Sequence, residues 1–404
     1  MKIMVANVGS SSFKCKLFDM TDEKVLARAQ VERVGSDQAP VQWTDNTGTK
    51  HEAAAPLKDY VACIQFVLDK FLDPKKGVLS SLNDLSAVGF KPVIAAGGIT
   101  GCQYFDDRVM AAMEEYKDII VPLHNEICIQ AVKSFQKLLP KHPMMGLFET
   151  AFFQEWPEYA RLYGIPWEWT EKYNIRRTMG HGASHCYVNR RLAEIKKCKP
   201  EDFNALQLHM GGSSSVIGVR KGVCIDGTAG FSMQCGMPHS IRNGDIDGYM
   251  ITYLESKGEG TAKEIINRLM TEGGLHGISG MGFDMRDLQQ AAEKGHKRAR
   301  LAIETYVYQT RKYMGSFLLV LGHTDAITFA GGTGENSSYI RKRVLENLEE
   351  FGILLDEKKN EQAIGKEMKI SRDDSKIEIW VIPTNEEIVV ARACAKLLKE
   401  SGRA

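Results

Sequence analysis

Three short glycine-rich segments, two of them also rich in serine, have the make-up of loops that hold phosphate. Gly9-Ser10-Ser11-Ser12 sits between apolar runs at residues 3–6 and 13–18. Gly211-Gly212-Ser213-Ser214-Ser215 has the same setting two hundred residues later, between runs at 206–209 and 216–219. The third, Gly331-Gly332-Thr333-Gly334-Glu335-Asn336, follows an apolar run at 326–330 and precedes a helical pattern over 339–351. A strand, a glycine turn and a helix N-terminus present unpaired amides and a dipole to an anion. None of the three fits G-x-x-x-x-G-K-[ST], and no such loop occurs elsewhere, which disfavours a P-loop kinase. Three phosphate-sized loops without a P-loop point to a nucleotide held between two domains.

The elements that must position these loops are readable from periodicity. The first two loops join extended runs and are expected to turn β-hairpins, one in each half, as in a duplicated domain with a cleft between the copies. Leu57, Tyr60, Val61, Ile64, Val67, Leu68 and Phe71 fall on one helical face. So do Ile303, Tyr306, Val307, Tyr313, Met314, Phe317, Leu318 and Leu321, a stripe that reads as core. A strand over 377–382 leads through Pro383 and Thr384 to a last helix starting near Glu386. Strands mixed with helices in both halves make the fold class α/β.

Composition agrees with a soluble globular chain. Of its 404 residues 43% are hydrophobic and 25% charged, enough for two or three domains with their own cores. Fifty-two basic residues against 51 acidic leave a formal net charge of +1, with no global pull toward nucleic acid or an anionic membrane. The nine cysteines lie singly, without a C-x-x-C pair, as expected of thiols in a reducing cytoplasm rather than a disulfide framework or zinc site. The apolar start of the chain is too short for a signal peptide, and the run at 317–321 is too short to span a bilayer. The expectation is a cytoplasmic protein.

Five ordered motifs carry a resemblance. Asn7-Val8-Gly9-Ser10-Ser11-Ser12-Phe13-Lys14, Arg176-Arg177 through His181-Gly182-Ala183-Ser184-His185, and Arg242-Asn243-Gly244-Asp245-Ile246-Asp247 are the first three. Gly331 to Asn336 and Pro383-Thr384-Asn385-Glu386-Glu387 complete the set. Together they resemble the acetate kinase family, within the superfamily that holds sugar kinases, heat-shock ATPases and actin. The resemblance runs over nearly the whole chain. It implies two ribonuclease-H-like (actin-like ATPase) domains with the active site in the cleft between them. The first domain would take residues 1–150 plus 384–404, the second, nucleotide-binding domain 151–383. It also implies ATP and ADP as substrates, Mg²⁺, reversible phosphoryl transfer to a small carboxylic acid, and a homodimer.

Such a transfer brings two anions together, so the site must supply cations and alignment rather than a strong base. By resemblance, Arg242 is the transition-state cation, suited to hold equatorial oxygens bidentately. His181 would donate to the transferring group, and His124 is a second active-site histidine. Asn7 and Glu386 correspond to residues near Mg²⁺, an ion that prefers oxygen ligands and keeps several waters. Nucleotide contacts fall to Ser10, Ser12, Lys14, His209, Gly211, Gly212 and Ser213. Asp284, Met285 and Arg286 would lie beside the adenosine, and Gly331, Gly332, Gly334, Glu335 and Asn336 would close over it. The alternative for Asp284 and Arg286 is a solvent-exposed i,i+2 pair, the less favoured reading.

Four positions depart from the family pattern. Glu149 stands where the family has its catalytic aspartate and Lys91 where it has the substrate arginine; Lys91 gives a point charge instead of a bidentate fork. Gly212 replaces an asparagine. Gly180 replaces the phenylalanine that walls the methyl pocket, which with Val93, Leu123 and Met233 is expected to open a cavity for a longer acid, each added methylene contributing about 0.8 kcal/mol. Two readings follow: a site re-cut for an acid such as propionate or butyrate, or a weakened nucleotide-binding regulator. Acetate itself is the alternative acid; a sugar hydroxyl, which needs a carboxylate base such as Glu149, is a third class that the ordered motifs disfavour.

Overall fold

The structure is a computed structural model, and it describes residues 1–117 and 124–403. The chain divides into two compact units, residues 1–154 with 385–404 and residues 155–384. In the first, β1 (Lys2–Gly9) and β2 (Ser12–Asp19) form the expected hairpin, with Gly9 opposite Ser12 and only Ser10 and Ser11 in the turn. Period-two alternation works as it should along β2: Phe13, Cys15 and Leu17 are buried while Lys14 is exposed. β3 (Lys24–Glu32), β4 (Ala39–Thr44), β5 (Lys50–Ala55), β6 (Leu85–Phe90), β7 (Cys102–Tyr104) and β8 (Met144–Leu147) complete a sheet of order β5-β4-β3-β2-β1-β6-β8-β7.

The second unit repeats the plan. β9 (Asn204–Met210), β10 (Ser214–Arg220), β11 (Val223–Gly227), β12 (Ala326–Ala330), β13 (Met368–Lys369) and β14 (Glu378–Val381) make a sheet of order β11-β10-β9-β12-β14-β13. In both, three antiparallel strands are followed by two that run parallel to the first, as in the ribonuclease-H-like fold: β3-β2-β1-β6-β8 matches β11-β10-β9-β12-β14. The duplication read from the two glycine-serine hairpins is therefore present in the topology.

The helix Tyr60–Phe71 buries Cys63, Ile64, Val67, Leu68 and Phe71 against the first sheet. It begins after Leu57, because Asp59 caps it by accepting from the Ala62 amide. The helix Lys297–Leu321 puts Ile303, Tyr306, Val307, Met314, Phe317 and Leu321 into the second core. The last helix, Glu386–Glu400, belongs to the first unit and packs on β1, β6 and β8.

Two sequence expectations need correction. Gly331–Asn336 is a short helix, not an open glycine turn: Gly331 makes the bend at φ +76° and the next five residues coil. The helical pattern over 339–351 also breaks early. The helix Ser338–Leu345 stops before Asn347 at φ +56°, and Glu349–Phe351 is a separate 3₁₀ turn.

Candidate active site

In the first unit the functional groups gather at strand ends. Lys91 directly follows β6 and Glu149 lies two residues past β8; the two strands are parallel neighbours, so both chains emerge on the same edge. The Glu149 amide donates to the Pro92 carbonyl at 2.9 Å, fixing that exit. Glu386 is the first residue of the last helix, where negative charge suits the dipole. Lys91 Nζ reaches Glu149 Oε1 at 2.5 Å and also pairs with Glu386 Oε2. Burial opposes the ammonium, but the two carboxylates outweigh it and hold its pKa above the usual lysine range. Lys91 thus has two anionic partners within the protein.

Asn7 is exposed on β1 opposite Lys14 of β2, and Lys14 lies 3.8 Å from Glu32. Ser10 is exposed at the hairpin tip, and Ser12 Oγ lies 2.9 Å from where a Cβ on Gly9 would fall, so a larger residue at 9 would make the Ser12 hydroxyl turn away. His124 is the exposed first residue of the helix His124–Leu138. Its neighbour Asn125 ties that helix to the segment after Lys91, donating to Ile94 O at 2.8 Å. Val93 in that segment is half-buried, and Leu123 lies outside the described residues.

In the second unit a polar cluster forms around the β9–β10 hairpin. His181 sits before the helix Gly182–Lys196 at φ +60° and stacks on His209, ring centroids 4.2 Å apart. Ser215 Oγ lies 2.8 Å from both His181 Nδ1 and His185 Nε2, so one hydroxyl joins the two rings. Ser184 Oγ meets His209 Nδ1 at 2.8 Å. Arg242 donates to Met233 O at 2.8 Å and to Ser213 Oγ at 2.5 Å, and burial lowers its pKa to about 10, still charged at neutral pH. Two of its five N–H donors are so used, and these are its hydrogen bonds among the described residues.

The two glycine loops of this unit come together because β9 and β12 are parallel neighbours, His209 opposite Ala330. The Cβ position of Gly211 is 3.8 Å from the Gly332 amide, and that of Gly331 would meet Met210 O at 2.7 Å. Gly212 faces Ser240 Oγ at 3.3 Å from its Cβ position. Glu335 uses one oxygen to accept from the amides of Gly331 (2.9 Å) and Thr384 (3.0 Å), so the Gly331 amide is not an open donor as expected. Asn336 turns its amide back to Gly332 O at 2.9 Å, and Gly334 is buried. Asp284 caps the helix Met285–Glu293 and Arg286 folds back onto it at 2.6 Å, the solvent pair the sequence allowed; Met285 is buried.

Immediately beside Gly180 the space is taken by Met233. A Cβ there would lie 2.7 Å from Met233 Sδ and 3.2 Å from its Cε, because the unbranched thioether lies over the space. Sequence reasoning also missed Ser215, His185 and His239. His239 is buried, its Nδ1 accepts from the Ser214 amide at 2.9 Å, and its Nε2 has no partner. Burial and then the charge of Arg242 push its pKa down to about 3. The four-residue step from His181 to His185, one helical turn, was the available signal for the shared serine.

Comparison with known proteins decides the family. The Acetokinase family model matches residues 2–392. The chain belongs to the acetokinase family. It is 40% identical over 400 residues to the acetate kinase of Thermoanaerobacter pseudethanolicus, covering 99% of each chain, and 39% identical over 399 residues to that of Finegoldia magna, covering 99% and 100%. Among solved structures, Porphyromonas gingivalis acetate kinase superposes with a TM-score of 0.87 at 33% identity, covering 98% of this chain and 99% of that one. A propionate kinase from Francisella tularensis gives 0.87 at 30%, covering 97% and 98%. These acetokinase relatives are phosphotransferases with a carboxyl acceptor. No described helix is long and apolar enough to cross a membrane.

Proposed function

We propose that the chain moves the γ-phosphoryl group of ATP onto a short-chain carboxylic acid larger than acetate, propionate- or butyrate-like, giving an acyl phosphate and ADP reversibly. The observation that carries it is Arg242: a planar cation braced by Met233 O and Ser213 Oγ, with donors to spare for phosphoryl oxygens. The acid's carboxylate oxygen attacks phosphorus in line; the new O–P bond forms as the bond to the ADP oxygen breaks. Arg242 and His181 hold the charge that spreads over the equatorial oxygens, and Ser215 keeps the His181 ring in place. The glycine loops at 211–213 and 331–336 receive the nucleotide, and His124 completes the acceptor's surroundings.

Glu149 and Glu386 carry two negative charges against one on Lys91, and these hard oxygens suit Mg²⁺ arriving with the nucleotide. Among the described residues no three His, Cys, Asp or Glu side chains form a cage, as fits an ion that keeps waters and phosphate oxygens. Glu386 and Asn7 would hold it, and it would neutralise phosphate charge. The larger acid is favoured because only a flexible thioether, with no ring, occupies the space at Gly180. A sugar hydroxyl is a poorer acceptor: it needs a free base, and Glu149 already engages Lys91. A homodimer in the cytoplasm follows from the family reading and is open to light scattering and fractionation.

The test is incubation with ATP, Mg²⁺, hydroxylamine and acids from formate to hexanoate. Acyl hydroxamate from propionate or butyrate above acetate is the expected result. Acetate as the best acceptor discards the larger acid and keeps the kinase. Nucleotide binding without hydroxamate from any acid favours the regulator, a reading to which the full pairing of Lys91 lends its one observation.

A further inference from the structure

The last helix packs on β1, β6, β7 and β8 and reaches β2, where its Glu387 pairs with Lys16; β3, β4 and β5 lie farther out in the same sheet. Strand register sets polar rows across that face. Lys16 on β2 lies opposite Arg28 on β3, the Arg28 amide donates to Thr44 Oγ1 on β4 at 2.9 Å, and Thr44 lies opposite Lys50 on β5. Beside it run Lys14, Gln30, Gln42 and Glu52, each opposite the next. The two rows line a recess of about 300 Å³ that ends at Glu387.

The charges in this recess do not cancel. Lys16 pairs with Glu387 at 3.1 Å and Lys14 with Glu32 at 3.8 Å, while Gln42 donates to Glu52 at 3.0 Å. Arg28 and Lys50 form no ion pair among the described residues. Like charges directly opposed on neighbouring strands are destabilising; Glu387 answers Lys16, which leaves Arg28 and Lys50 as the cations of the recess without a carboxylate of their own among the described residues. Neighbouring strands stand about 4.8 Å apart, which places Arg28 and Lys50 roughly 10 Å from each other at the backbone. Both side chains line the recess.

We propose that this recess binds a polyphosphate, a small ligand with two or more linked phosphate groups held by Arg28, Lys50 and Lys16. Arg28 supplies the planar fork that phosphate favours, and Lys50 the point charge at the far end. Thr44 lies between them, and in the next row the Gln30 and Gln42 amides each give one N–H to Glu32 and Glu52, leaving a second N–H on each. The proposal is independent of the acceptor acid and of whether the chain is a kinase at all.

The experiment is calorimetric titration of the full chain with inorganic tripolyphosphate at low salt, for the wild type, Arg28→Gln/Lys50→Gln, and the charge-conserving Arg28→Lys/Lys50→Arg. Both positions are exposed, so the variants keep their fold, which circular dichroism verifies. The expected result is binding at least about tenfold weaker in the glutamine variant and retained in the charge-conserving one. No binding by the wild type, or equal binding by all three, overturns the proposal; in the latter case the glycine loops hold the phosphates. Loss in both variants also overturns it, since charge would not then be the cause. A parallel ATP titration separates sources: weakening with ATP as well assigns a nucleotide's phosphates to the recess, and weakening with tripolyphosphate alone assigns a free polyphosphate.

Discussion

Lys91 meets Glu149 and Glu386 with one charge against two, and the lengths of all three side chains set that geometry. Lys91→Arg alone crowds a longer, planar cation between fixed carboxylates; Glu149→Asp alone draws one carboxylate back. Each single change should lower kcat, while the double variant should recover part of the loss, with a coupling of about 0.5–3 kcal/mol from the four rate constants. Additive losses would mean the residues act separately. A second residue-scale pair is Gly180 and Met233. Gly180→Ala should lose stability because its methyl would enter the Met233 sulfur, and adding Met233→Ala should restore it. Met233→Ala alone should lengthen the acids accepted, read from kcat/KM across the panel. His239 predicts a pH effect. Its folded pKa of about 3 lies below the unfolded value near 6.5, so below pH 6.5 the unfolded chain binds the proton first and stability falls. The loss should reach about 2 kcal/mol by pH 5, and His239→Gln should shrink it, as melting at the two pH values will report.

Among elements, the short helix Gly331–Asn336 depends most on one side chain. Glu335 satisfies the amides of Gly331 and Thr384, so it ties the start of that helix to the chain leaving β14. Glu335→Ala should cost about 2 kcal/mol in urea unfolding, with Glu335→Gln intermediate. Arg341 supports the helix from the other side: fully buried, it donates to Gly334 O, Asn360 and Ala363 O. Neither role was legible beforehand, since partners at 335 and 384, or 341 and 360, share no local period. Both hairpins and the two long helices were legible, because alternation and the 3.6-residue stripe are local. The Lys91 cluster shows the boundary. Its residue types could be picked out by motif, but positions 91, 149 and 386 meet only through sheet order and the return of the last helix. The surroundings of Gly180 show the same limit: a missing ring is visible in the sequence, while the placement of Met233 against that glycine is not.

At the scale of the whole molecule, the first unit is built from both ends of the chain. Its last helix buries Ile388, Val389, Val390 and Leu398 with three smaller residues. At about 1.5–3 kcal/mol for each large side chain, those four contribute roughly 6–12 kcal/mol, comparable to the stability of a whole domain. A chain ending at residue 384 should therefore keep the second unit folded while the first becomes open to protease. Limited proteolysis should cut within residues 1–154 and spare 155–384; equal resistance of both would show the helix to be dispensable. During synthesis the order of appearance is reversed with respect to sequence. Residues 1–154 leave the ribosome first yet must wait, lacking one layer of their core, until the final fifteen-residue helix follows. The second unit has all its strands and helices in hand earlier. Glu386 comes with that helix, so Lys91 acquires its second carboxylate only after residue 386 has been made, and no shorter nascent chain carries the complete charge cluster.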